Sequence, residues 1–264
     1  MYRIVIPMAE GTSTTIEAIR PAPQERAMPK PRLVDLRTES ENLLLPPKIR
    51  IPAELLGADT WPELLRLTRE QPAEYGIVVS ERSGGLLTSK IFKGPDLEED
   101  PITKKTTHPT ISLPLVPHGP LSLLRPPKML SFLHTHPVTK ELNHLPTTVF
   151  GDADLNSFLH ERMKAFVMLD HGGVHILRGK QLELNIGEIN IGEIFDTAQT
   201  ASEKGSKLVS EQMHVLGQEL KDYGIQYYFS PETSPSYDGT VTFSDVSVEI
   251  PKYKTFEELG VTPE

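Results

Sequence analysis

Met129-Leu130-Ser131-Phe132-Leu133-His134-Thr135-His136-Pro137 reads as a buried strand that ends in a pair of metal-ligand residues. Met129 to Leu133 is apolar apart from Ser131, as suits a strand covered on both faces. Pro137 ends the run, because proline has no N–H to give to a ladder. In an extended chain residues i and i+2 point to one side with α-carbons about 6.6 Å apart, so His134 and His136 can converge on one ion about 2.0 Å from each nitrogen. Thr135 points to the opposite side. Further on, Asp152-Ala153-Asp154-Leu155 stands at the head of a helical pattern. A carboxylate is the expected third ligand, since two neutral imidazoles and one Asp leave a fourth position open, the catalytic form of zinc coordination. Asp154 is the first choice, with Asp152 as its alternative.

Each part also has an ordinary reading. Nine histidines in 264 residues can place two of them one residue apart by chance. An Asp near a helix start is favoured by the helix dipole alone, and Gly151 as N-cap with Asp154 three residues on is close to a capping-box arrangement. The order of apolar strand, His-x-His, Pro, loop, carboxylate and amphipathic helix is what favours a metal site.

Composition sets the surrounding limits. The chain is 38% hydrophobic, enough to bury a sizeable core. It has no cysteine, which excludes disulfides, thiolate ligands and a cysteine nucleophile, so any zinc must be held by nitrogen and oxygen. A formal charge of -9 and the lack of a dense Lys/Arg run argue against a nucleic-acid partner. Ile4-Val5-Ile6-Pro7-Met8-Ala9 is too short for a signal-peptide core, and no segment approaches the roughly 20 apolar residues of a membrane span. The expectation is a soluble, cytoplasmic protein without a membrane partner.

Three regions are expected along the chain. Residues 1–45 hold a strand-like Tyr2 to Ile6 and then Pro21, Pro23, Pro29 and Pro31, which reads as a Pro-rich linker. Residues 46–184 hold the main domain. Within it Lys48 to Ile51 is strand-like, and Asp59 or Thr60 can cap a helix that has Pro62 in its first turn. Glu74 to Ser80 and Leu86 to Phe92 flank a turn at Gly84-Gly85, residues 93–128 form a Pro- and charge-rich excursion, and Phe166 to Leu169 and Val174 to Leu177 make a second hairpin. Residues 185–264 read as an extension. They carry a tandem Asn-Ile-Gly-Glu-Ile at 185–194, an amphipathic helix with Leu208, Val209, Met213, Leu216 and Leu220 on one stripe, and extended segments at Ile225 to Phe229 and Thr240 to Ile250.

The block His134-Thr135-His136-Pro137, with Glu74 in Glu74-Tyr75-Gly76-Ile77-Val78-Val79 upstream and Gly151-Asp152-Ala153-Asp154-Leu155 downstream, resembles the signature of the JAMM (MPN+) metalloproteases. That signature is a Glu, then His-Ser/Thr-His-Pro, then Ser-x-x-Asp opening a helix. The resemblance covers about residues 46–180. It implies an α/β fold, a JAMM-like mixed β-sheet with flanking helices, extended here at both ends. It also implies zinc-dependent hydrolysis of a peptide or isopeptide bond, in the family often at the C-terminus of ubiquitin or a ubiquitin-like protein. His134, His136 and Asp154 would be the ligands and Glu74 the general base, with Glu81 as the rival base. Two departures stand out. The family's Ser falls on Gly151, so an oxyanion donor must come from Thr147, Thr148 or a main-chain N–H. The spacing of 18 from His136 to Asp154 is longer than the family pattern and leaves room for His144. The missing Ser motivates a second hypothesis, a catalytically weak or inactive scaffold of the same fold that binds a protein partner. A third is a hydrolase of the same fold acting on a small amide.

Overall fold

The computed structural model describes residues 30–40, 43–71, 73–96, 98–99, 106–107, 127–136, 150, 152–160, 163–179, 206–254 and 258–260. The strands are β1 (Arg32–Leu33), β2 (Lys48–Pro52), β3 (Ala73–Arg82), β4 (Gly85–Thr88), β5 (Phe92–Asp96), β6 (Glu98–Glu99), β7 (Thr106–Thr107), β8 (Lys128–Thr135), β9 (Ala165–Leu169), β10 (Val174–Gly179), β11 (Ile225–Ser230) and β12 (Thr240–Asp245). The helices are α1 (Trp61–Glu70), α2 (Asp152–His160) and α3 (Ser206–Asp222). The fold is mixed α/β and dominated by its sheet.

Among the described residues ten strands form one sheet in the order β1-β2-β12-β11-β10-β9-β8-β3-β4, with β5 also on β3, while β6 and β7 pair separately. β8 lies parallel to β9 and antiparallel to β3. Strand alternation sorts the side chains onto two faces. Tyr75, Ile77, Val79, Leu133, Val167 and Ile176 pack on one face with Trp61 and Leu64 of α1. Val78, Phe132, Phe166, Met168, Tyr227 and Phe229 pack on the other, beneath Leu155 and Phe158 of α2 and Val209, Met213, Leu216 and Leu220 of α3. The stripe expected from Leu208 to Leu220 is core packing at Val209, Met213, Leu216 and Leu220, which is where an amphipathic helix of this length gains most of its stability, while the Leu208 side chain lies outside the described residues.

Local chemistry accounts for the element ends. α1 has proline in its first turn, but neither expected side chain caps it: Thr60 stands at the N-cap with no side-chain cap bond, and its Oγ1 donates to Gly57 O at 2.7 Å. The second half of the first hairpin is interrupted, because β4 and β5 pair with opposite ends of β3 and Ser89 bridges between them, its N–H donating to Val78 O at 2.9 Å. The extended reading of Thr240 to Ile250 holds only to Asp245, whose Oδ1 accepts from Ser247 N–H at 2.9 Å and turns the chain. Phe166 to Leu169 and Val174 to Leu177 form the expected second hairpin as β9 and β10.

Both expected domain boundaries are crossed by the packing, and the compact unit runs from Pro31 to Glu264. Val34, Leu36 and Leu45 are buried in the core, although 1–45 reads as a linker. β1 pairs with β2, and beyond it long cations meet the backbone: Lys128 Nζ donates to Arg37 O at 2.7 Å, Lys164 Nζ to Glu39 O at 2.9 Å and Arg178 Nη2 to Ser40 O at 2.9 Å. At the other end β11 pairs with β10, and β12 pairs with both β11 and β2. The expected extension thus supplies inner strands of the sheet, because β2 finds its antiparallel partner in β12 and not in β3. The Tyr2–Ile6 strand, the tandem at 185–194 and most of the 93–128 excursion lie outside the described residues. No helix among those described is long and apolar enough to cross a membrane.

The β9–β10 turn carries a titratable group with a consequence for stability. His171 is buried against the end of α1, with Nδ1 3.2 Å from Arg69 Nη2 and Nε2 3.4 Å from Thr68 Oγ1. Arg69 can only donate, so the imidazole is neutral, accepting at Nδ1 and donating from Nε2. Burial and the Arg69 charge push its pKa down from 6.5 to about 4. The unfolded chain then binds the extra proton between pH 6.5 and 4, so stability falls as pH falls through that window, by about 3 kcal/mol at its lower end. Urea unfolding of the parent and of His171→Gln at pH 7 and pH 4.5 checks this. The parent is expected to lose more stability on acidification, and equal losses would remove the assignment.

Candidate metal centre

Three elements deliver the site. β8 places His134 on the α2 face of the sheet, directly across from Gly76 of β3. His136 follows two residues on, and Asp154 comes from the first turn of α2, four residues ahead of the buried Phe158 on the same helix face. Position 76 must be small: a Cβ there would come within 2.9 Å of the Phe92 ring, 3.1 Å of the Phe132 ring and 3.1 Å of Leu133 O. Glycine lets those aromatics close over the strand pair. Phe132 stacks on the His134 ring with centroids 5.8 Å apart, and Phe166 approaches it at 5.0 Å.

His134 Nε2 lies 3.2 Å from His136 Nε2 and 3.2 Å from Asp154 Oδ1, and His136 Nε2 lies 3.5 Å from Asp154 Oδ2. A tetrahedral ion about 2.0–2.1 Å from each ligand requires ligand atoms about 3.3 Å apart. The three side chains already stand at that spacing. His134 Nδ1 donates to Val167 O at 3.2 Å, which orients the ring and leaves Nε2 facing the other two ligands. His134 is fully buried and Asp154 is 5% exposed, so water does not screen the interaction between them. Burial opposes ionisation of Asp154, but the charges and hydrogen bonds of His134 and His136 together outweigh it and hold the carboxyl below its usual range. The buried His-His-Asp group can therefore hold a metal ion.

Of the residues singled out in the sequence, His134, His136 and Asp154 come together. Glu74 lies on β3, buried, two residues before Gly76 and on the same strand face as it. It therefore faces the side of the sheet that carries the histidines, about 7 Å along the strand from the residue opposite His134. Glu81 lies five residues beyond Gly76, paired with Lys128 at the far end of β8 and about 17 Å from the His134 register. The side chain of Asp152 and all of Gly151, Thr147, Thr148 and His144 lie outside the described residues. Sequence reasoning missed the Val167 carbonyl, which carries no side-chain signal. Comparison with protein-family models, with curated proteins and with solved structures finds no significant match.

Proposed function

We propose that the chain is a JAMM-like zinc metallopeptidase or isopeptidase, acting on a protein substrate with an extended C-terminal tail such as that of a ubiquitin-like protein. The observation that carries the reading is the convergence of two imidazole nitrogens and a carboxylate at 3.2–3.5 Å on the sheet face that also bears Glu74. Two nitrogens, one oxygen and no available thiolate suit zinc with one open position. His134, His136 and Asp154 would hold it. Zinc there supplies Lewis-acid chemistry, polarising a carbonyl and making water more acidic. Glu74 takes a proton from the attacking water and delivers it to the leaving nitrogen as the C–N bond breaks. The Val167 carbonyl keeps the His134 ring oriented as a ligand, and Phe132 and Phe166 exclude water from the inner side of that ring.

The test uses the purified full chain with fusions to ubiquitin-like C-termini. Cleavage at the fusion junction, lost with a zinc chelator and restored by added zinc, is the expected result. Cleavage that ignores the chelator would contradict the reading, as would a zinc-loaded protein that cleaves neither these fusions nor small amides. Turnover of small amides alone would keep the chemistry and overturn the substrate.

A further inference from the structure

The middle residue of the His-Thr-His run turns its side chain away from the ligands, and its contacts are with the strand that bears Glu74. Thr135 is fully buried. Its Oγ1 accepts from Tyr75 N–H at 3.0 Å and donates to Tyr75 O at 3.3 Å. Pairing of β3 on β8 runs from Glu81↔Lys128 to Gly76↔His134, with one register shift between Val79 and Ser80. One residue past that point, the threonine hydroxyl engages both backbone groups of Tyr75, which burial would otherwise penalise. Tyr75 N belongs to the peptide whose carbonyl is that of Glu74. The opposite edge of β3 is irregular at the same place, because the β5 partners jump from Asp96 opposite Ala73 to Lys93 opposite Tyr75, and Pro95 between them has no N–H to donate. On the β8 side, the Tyr75 N–H of the Glu74–Tyr75 peptide is held by the Thr135 hydroxyl.

We propose that Thr135 is a positioning residue: its hydroxyl locks the Glu74–Tyr75 peptide to the strand that carries His134 and His136, and so sets the base against the metal ligands. A chain that needed only volume here could use valine, and the two Tyr75 backbone groups would then lose their shared partner. The inference rests on the reading of Glu74 as the base. It makes a claim about the metal-free protein as well, so the two can fail separately.

The experiment compares the parent with Thr135→Val and Thr135→Ser in three readouts. These are amide exchange at Tyr75 in metal-free protein, zinc affinity by competition, and kcat and KM on a fusion substrate. In Thr135→Val the Tyr75 amide is expected to exchange about tenfold faster while Ile77 to Val79 stay protected, as loss of one hydrogen bond implies. Zinc affinity is expected to stay within about threefold, and kcat to fall about 10- to 100-fold at unchanged KM, the scale of a base displaced by about 1 Å. Thr135→Ser should restore both exchange protection and kcat. Unchanged Tyr75 exchange in Thr135→Val would overturn the inference. So would a kcat loss matched by an equal loss of zinc affinity, or a loss that serine does not repair. A parent with no turnover would sink the hydrolase reading, and the exchange data would still decide the clamp.

Discussion

Replacing His134 and His136 together with alanine is expected to abolish zinc uptake and to lower hydrolysis by about 10³-fold or more. The size follows from the role assigned to the ion. Charge stabilisation at a reacting carbonyl is worth several kcal/mol, and each 1.36 kcal/mol is about tenfold in rate. The rings supply two of the three ligand side chains, whose contacts span 3.2–3.5 Å, so no single remaining group can replace them. The double variant also leaves the Asp154 carboxylate buried without its imidazole partners, which favours its protonated form. Circular dichroism and thermal unfolding should therefore accompany the assay. Hydrolysis that survives in a folded, zinc-free double variant would dissociate the activity from this site.

Glu74→Gln is expected to lower kcat by about 10²- to 10⁴-fold, the range general-base catalysis contributes. Zinc content and fold should be unchanged, because the amide has the shape of the carboxylate and Glu74 is not among the three converging ligands. The comparison that sharpens this is Glu81→Gln. Its position at the Lys128 end of β8 is about 17 Å along the strand from the His134 register, too far to reach the same water. Its activity should stay within about twofold of the parent, as for an ordinary surface change. The reverse outcome, with Glu81→Gln inactive and Glu74→Gln active, would hand the base role to Glu81. A Glu74→Gln protein that still binds a candidate partner, with no turnover by it or by the parent, would favour the scaffold reading.

The site was legible where chemistry and period coincide. Alternation about Phe132, His134 and His136 has a period of two, so a strand ending in paired ligands follows from sequence, and the position of Asp154 three residues into a helix follows from its apolar companions Leu155 and Phe158. What sequence could not supply was register. Glu74 and Glu81 sit on one strand, and only the pairing Gly76↔His134 separates them. Long-range partners were equally hidden. The docking of 34–45 depends on Lys128, Lys164 and Arg178, and the placement of β2 depends on β12, nearly 200 residues away. Local composition made one of these segments a linker and the other an appendage. The prolines up to Pro31 dominate the local composition, while Val34, Leu36 and Leu45 beyond them decide the packing.

Zinc titration of the metal-free full chain against a chromophoric chelator tests the central claim most directly, using the parent, Asp154→Ala and Asp152→Ala. The parent is expected to bind a single tight equivalent, retained in Asp152→Ala and lost in Asp154→Ala. A parent that takes up no zinc, or an Asp154→Ala protein that binds it as tightly as the parent, would contradict it.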